Sequence, residues 1–209
     1  SETFTLLLKA SNKQYQSGDL LGIAPPSDPV ERQYSIARVE KSQLLLSIKK
    51  HDQGLCSNYL YQLEVGDQFK GSIQKNKDFH LVKRAKNVLL IGNGTGIAPY
   101  LGMIHHTSKA RIQLYWGGRT STSFELYKDR IEEAVQTGRL ASYQIAYSRE
   151  DGPCKYVQDL LRRDGKTVAE QLQNGAYFYL CGSITMQNGA LALLETLCQQ
   201  QLQKPLSFY

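Results

Sequence analysis

The rhythm of hydrophobic and polar positions changes part-way along the chain. Up to about Arg84, apolar residues come in short runs cut by turn-forming pairs, among them Gly18-Asp19, Pro25-Pro26 and Gly66-Asp67. Residues 3–9, 32–39, 43–49 and 68–73 read as strands, and only 57–63 reads as a short helix. Many short strands separated by turns predict a small antiparallel β-barrel. Beyond Arg84 strands and helices alternate. The run Val88-Leu89-Leu90-Ile91 opens a strand over 87–92, followed by a glycine turn and a helix from about Ile97. Further strands are expected at 111–115, 142–147 and 176–181, with helices at 124–135, 156–163, 167–173 and 185–200. The last helix sets Leu191, Leu194, Leu197 and Cys198 on one face. Continuous apolar strands alternating with helices predict a parallel sheet covered on both faces. The expected organisation is therefore two domains, a β-barrel over 1–84 and an α/β Rossmann-like parallel sheet over 85–209.

Composition narrows the class. At 209 residues the chain is long enough for two small domains. It has no run of about 18 apolar residues, so no membrane span is expected in this segment. Ser1 to Lys9 lack the basic start and cleavage site of a signal peptide and run straight into a strand. The sequence thus reads as a piece of a longer protein. Cys56, Cys154, Cys181 and Cys198 form neither a CxxC pair nor a Cys/His cluster with metal-ligand spacing. Four reduced thiols in a cytoplasmic protein, or one on the cytoplasmic face of a membrane if the parent chain is anchored, are expected. The net charge of +6 is scattered rather than gathered in a patch with interleaved aromatics, which argues against nucleic acid. A polyanionic small ligand or an acidic protein partner suits it better.

The feature richest in chemistry is Gly92-Asn93-Gly94-Thr95-Gly96-Ile97-Ala98-Pro99 after the Val88–Ile91 run. A glycine turn at the end of a parallel strand lets backbone approach phosphate oxygens, and the following helix start offers free N–H groups. The spacing is not GxGxxG, and the Gly-Lys-Ser/Thr of a P-loop is missing. Taken alone, the segment is equally readable as a tight structural turn.

Other segments extend the pattern. They are Tyr115-Trp116-Gly117-Gly118-Arg119, Tyr147-Ser148-Arg149-Glu150, Tyr156-Val157-Gln158-Asp159, and Tyr179-Leu180-Cys181-Gly182-Ser183 with Met186. In the first half stand Arg32-Gln33-Tyr34-Ser35 and Gly54-Leu55-Cys56-Ser57. Together with the glycine turn, and in this order over nearly the whole chain, they resemble the ferredoxin–NADP reductase superfamily. The closest likeness is to its diflavin branch, which includes the sulfite reductase flavoprotein.

That resemblance implies an FAD-binding barrel, an NADPH-binding sheet, and hydride transfer from nicotinamide to flavin. Arg32 would neutralise the FAD pyrophosphate and Gln33 would lie beside it. Tyr34 would stack on the isoalloxazine with its hydroxyl outward, and Ser35 would hydrogen-bond near flavin N5. Ser47, Ile48 and Lys49 align with the strand flanking the flavin's ribose and phosphates. Gly54, Leu55, Cys56 and Ser57 would offer backbone N–H groups to the pyrophosphate. On the NADPH side, Gly94, Thr95, Gly96 and Pro99 form the turn, and Arg119 would face the cofactor phosphates. Ser148 and Arg149 suit a ribose 2′-phosphate, with Lys155 in reach of it. Tyr156 would stack on adenine, Gln158 would bond nearby, and Met186 belongs to the final motif. Cys181 would lie beside nicotinamide C4, shaping geometry without acting as nucleophile. Tyr209 would cover the flavin and swing aside for nicotinamide. Ser35, Cys181 and Tyr209 are thus the residues expected nearest the chemistry.

The pattern also departs from the family. Relatives usually carry a carboxylate where Ser207 stands, an acid at Ser183, a basic residue at Cys154, and proline or alanine at Asn93. By this comparison the barrel is expected to lack the family's first strand, and these residues hold no flavodoxin-like FMN domain. The electron acceptor is expected to be an acidic carrier protein, a haem, or an FMN domain on the parent chain. A ferric-siderophore or free-flavin reductase and a non-catalytic nucleotide-binding interaction module are the competing readings.

Overall fold

The computed structural model describes residues 2–11, 14–106 and 109–209. The chain forms two compact units. The first runs up to Leu81 and takes in Ala98–His106, and the second comprises Val82–Ile97 and the chain after His106.

The first unit contains β1 (Thr3–Lys9), β2 (Leu20–Ile23), β3 (Arg32–Ser35), β4 (Ala37–Arg38), β5 (Gln43–Lys49) and β6 (Ser72–Gln74), with helices α1 (Leu55–Tyr61) and α2 (Ala98–His106). These strands make two three-stranded antiparallel sheets, β1-β5-β4 and β3-β2-β6. Leucine ladders fix the first register, Leu6 opposite Leu46 and Leu8 opposite Leu44. Tyr15, Leu21, Ile23, Ile36, Leu44, Leu46, Ile48, Cys56 and Leu60 form the core.

The strand expected over 32–39 divides at Ile36. Its side chain is fully buried, and its backbone bonds the Gly18-Asp19 turn on both sides (Ile36 N–H to Asp19 O, 2.8 Å; Gly18 N–H to Ile36 O, 3.0 Å). Before that residue the chain pairs with β2, and after it with β5. No ladder joins the two sheets among the described residues, so the barrel-like portion is not closed. The strand expected at 68–73 shrinks to Ser72–Gln74, and β2 had no place in the expected set. Helix α1 starts two residues early. Ser57 Oγ accepts the His51 N–H (3.1 Å) and Asn58 N–H reaches Gly54 O (2.9 Å), which ties the turn at Gly54.

One buried carboxylate organises this unit. The Asp19 side chain is wholly inaccessible and accepts hydrogen bonds from Gln16 N–H (2.9 Å), Asn76 N–H (3.0 Å), His80 Nε2 (2.6 Å) and Lys75 Nζ (3.2 Å). Burial alone would raise its pKa, but the bonds from Asn76, His80, Gln16 and Lys75 outweigh it and hold the carboxyl below the usual range. In the unfolded chain Asp titrates near ~3.9. The stabilisation from Asp19 is therefore complete above that value and is lost as pH falls through the lower folded value. Denaturant unfolding between pH 6 and pH 3 should show this acid loss in the native chain. Asp19→Asn should be less stable at pH 6 and have a flatter profile; an unchanged profile would refute the role.

The second unit holds one parallel sheet of β7 (Asn87–Asn93), β8 (Arg111–Gly118), β9 (Ser142–Tyr147) and β10 (Tyr177–Cys181), in the order β10-β7-β8-β9. Helices α3 (Thr122–Gln136), α4 (Val157–Arg163), α5 (Gly165–Gln173) and α6 (Ile184–Leu197) accompany it. Val88 to Ile91 are almost completely buried, as a central parallel strand requires. The buried face of the last helix is Met186, Ala190, Leu194 and Leu197, continuing to Cys198. Leu191 lies off that stripe at 46% exposure, so the expected face is corrected by one position. No helix among the described residues is long and apolar enough to cross a membrane.

Candidate functional site

The carboxyl ends of the parallel strands gather most of the expected nicotinamide-side residues. Sheet register places Cys181 opposite Gly92, Asn93 opposite Gly117, and Gly118 opposite Tyr147. Beyond the strands the β8–β9 pairing continues, with Ser148 N–H to Gly118 O (3.0 Å) and Arg149 N–H to Arg119 O (2.9 Å). Arg119 and Arg149 are thereby neighbours along the backbone, and both are exposed.

The glycine turn is a 3₁₀ segment, Gly94–Ile97, rather than the first turn of the helix. Gly94 has φ +52°, and a Cβ there would meet nothing within 4 Å, so the backbone is open on that side. Trp116 Nε1 donates to Gly94 O (3.0 Å) and fixes the turn from below. A Cβ on Gly96 would run into the Cys181 carbonyl and come within 2.7 Å of Gly182 Cα. The turn is therefore packed backbone against backbone on the end of β10, and only glycine fits. Thr95 is half-buried beside it, while Pro99 is buried in α2 and belongs to the first unit.

Tyr156 precedes α4 and is 61% exposed. Its N–H is held by Asp159 Oδ2 (2.9 Å), as is that of Lys155 (3.0 Å). The Lys155 ammonium donates to Glu150 O and lies 3.8 Å from the Asp151 carboxylate, which closes the loop between β9 and α4. Glu150 in turn accepts the Ser121 N–H. Gln158 packs over Gly189 of α6. Met186 is buried and its N–H bonds Ser183 Oγ (3.2 Å). Tyr209 is exposed at the chain end, edge-on to Phe208 at 5.1 Å.

The flavin-side residues other than Tyr209 lie in the first unit. Arg32 Nη1 pairs with Asp28 (2.5 Å) and bonds Val30 O, which anchors the guanidinium beside β3. The Val30 N–H and then Arg32 hold the Asp28 carboxyl below its ordinary range. Gln33 bonds Gln74 across the sheet, and Ser35 sits opposite Leu20. Tyr34 packs half-buried on the core near Cys56. Burial, then the neighbouring Cys56 thiol, push the phenol well above its usual range, so it stays protonated. This brings β3 and the start of α1 together. Leu55 is exposed, Ser57 Oγ donates to Gly54 O (3.2 Å), and Ser47 and Ile48 are buried with Lys49 at the strand end.

Residues outside the expected set shape both places. Asp28 was legible as an i, i+4 partner of Arg32, but the pairing of Glu150 with Ser121, twenty-nine residues away, was not. Among the described residues no three His, Cys, Asp or Glu side chains are grouped to hold a metal ion.

Residues 90–191 match the oxidoreductase NAD-binding domain family. The chain is 33% identical over 165 residues to NADPH-dependent diflavin oxidoreductase 1 of Saccharomyces cerevisiae, covering 76% of this chain and 25% of that protein. It is 30% identical over 193 residues to the sulfite reductase (NADPH) flavoprotein alpha-component of Vibrio vulnificus, covering 84% and 31%. A nitric oxide synthase-like protein of Bombyx mori is 37% identical over 146 residues, covering 64% and 13%. The matches thus span less than a third of these relatives' lengths. Among solved structures, a mutant ferredoxin-NADP+ reductase from Plasmodium falciparum shares the fold, with TM-score 0.79 at 22% identity over 94% of this chain and 84% of that one. The chain belongs to the ferredoxin–NADP reductase superfamily. Within it, the relatives place it with the diflavin oxidoreductases and the sulfite reductase flavoprotein.

Proposed function

We propose that this chain is the FAD- and NADPH-binding module of an oxidoreductase that moves electrons from NADPH to a one-electron acceptor. The observation that carries the reading is the set of strand ends in the second unit. An open glycine turn at Gly94, two exposed arginines on adjacent strand ends, and a presented Tyr156 ring suit a dinucleotide's pyrophosphate, extra phosphate and adenine. The fit on the flavin side rests on Arg32 and Tyr34, a cation and a half-buried aromatic ring two residues apart on one strand. FAD, when bound, accepts hydride and releases electrons singly.

The chain's own residues bind and orient. Gly94, Thr95 and Gly96 present backbone, Arg119 and Arg149 supply positive charge, and Tyr156 supplies a stacking face. Cys181 at the end of β10 sets one wall of the nicotinamide pocket, and the exposed Tyr209 ring offers a face that can stack on a flat heterocycle, an interaction of ~1 kcal/mol. A net charge of +6 favours an acidic acceptor protein or an FMN domain of the parent chain, in the cytoplasm or on its membrane face.

The test is optical. The protein reconstituted with FAD should bleach in stopped flow when mixed with NADPH, and less readily with NADH. Protein that binds NADPH but leaves FAD oxidised would overturn the catalytic reading in favour of an interaction module.

A further inference from the structure

Two positions that depart from the family pattern, Asn93 and Ser183, meet in space. Ser183 N–H donates to Asn93 Oδ1 (2.9 Å), and Asn93 Nδ2 donates to Ser183 Oγ (3.3 Å). The hydroxyl also accepts the Met186 N–H (3.2 Å), so it caps α6. Between them lies Gly182, at φ +148°, where a Cβ would strike Asn93 Oδ1 and come within 3.0 Å of Asn93 N. Gln187 Nε2 holds Gly182 O from the other side (2.9 Å). The Gly96 packing on the Cys181 carbonyl joins the same two segments independently.

We propose that Asn93 is a positioning residue for Cys181. Its amide brackets Ser183 and fixes the strand end against the glycine turn, so that the Cys181 side chain has one orientation. Where relatives place an acid, Ser183 has a hydroxyl engaged by Asn93 and Met186, and its part is structural. This rests on the cofactor reading only for what Cys181 is positioned to face; the bracket itself is a property of the unliganded chain.

The experiment measures iodoacetamide alkylation of each cysteine by mass spectrometry on the whole chain without cofactor, with the half-buried Cys154 as internal reference. Losing the bracketing bonds in Asn93→Ala should raise the Cys181 rate about fivefold and leave Cys154 unchanged. Asn93→Asp, which keeps an acceptor for the Ser183 N–H, should stay within about twofold of the native rate. An Asn93→Ala rate for Cys181 within about twofold of native, an Asn93→Asp rate equal to that of Asn93→Ala, or an equal rise at Cys154 overturns the proposal. A measurement without variants guards against misfolding. The Ser183 amide should be protected from hydrogen exchange although the residue is exposed, and rapid exchange there also overturns the bracket. NADPH should slow Cys181 alkylation in the native chain; if it does not, the cofactor reading fails while the bracket stands.

Discussion

Arg149→Ala is expected to raise the NADPH concentration needed for half-maximal flavin bleaching about tenfold, while the NADH requirement stays within about twofold. The two nicotinamides differ only in the 2′-phosphate, so a selective effect reports contact with that group. Arg149 stands just beyond β9 with its N–H fixed to Arg119 O, so its side chain starts from a defined place. Its guanidinium is exposed and makes no ion pair among the described residues, and it can meet phosphate oxygens bidentately. Lys155, the other candidate, has its ammonium on Glu150 O and near Asp151, so its charge is partly answered within the loop. Lys155→Ala should accordingly weaken NADPH less than Arg149→Ala. Arg149→Lys should fall between native and alanine, since it keeps charge but loses the fork. Equal changes for both nicotinamides would end the phosphate role.

Gly96→Ala should cost about 1–3 kcal/mol of stability and weaken NADPH binding as well. The added methyl would occupy the space of the Cys181 carbonyl, 2.7 Å from Gly182 Cα, and neither neighbour is a flexible side chain that could rotate away. Relief would require the glycine turn to lift off β10, carrying the phosphate-facing backbone with it. Gly94→Ala is the control for stability alone, because its open side is where the ligand approaches. It meets no atoms and bears only the left-handed backbone penalty at φ +52°, about 1–2 kcal/mol. Denaturant unfolding of both variants and NADPH titration of Gly96→Ala decide the matter. A Gly96→Ala chain that keeps native NADPH affinity would remove the coupling between this contact and the ligand.

How far the sequence can be read depends on how local each signal is. The apolar run at Val88–Ile91 and the leucine-rich 43–49 segment declared their strands, because burial on both faces or against one core leaves a pattern in consecutive residues. The strand Leu20–Ile23 was hidden by its brevity between two turn signals, and its pairing with both β3 and β6 is non-local. Ile36 shows the same limit: nothing in its neighbours marks it as the place where the chain changes sheets. At the site, the glycine turn and Arg149 were visible as residue types at strand ends. The Asn93–Ser183 bracket was not, since it joins positions ninety residues apart in sequence. Sequence registered both as departures without showing that each is the other's partner. Lys155 and Gln158 were recognisable by type, but the Glu150 carbonyl that engages Lys155 depends on how the loop closes, and the Gly189 backbone under Gln158 on tertiary packing.

Helix α2 bears on how such a module could be dissected. Ala98 to Ile104 are all buried, and the helix packs on β4 in the first unit, although it follows the glycine turn of the second. A single cut at residue 84 would therefore deprive the N-terminal fragment of a helix it needs and leave the C-terminal fragment with seven buried residues suddenly wetted. Chimeras that exchange the halves of related chains would have to graft Ala98–His106 with the strands it covers, as an interleaved transplant in place of a simple splice.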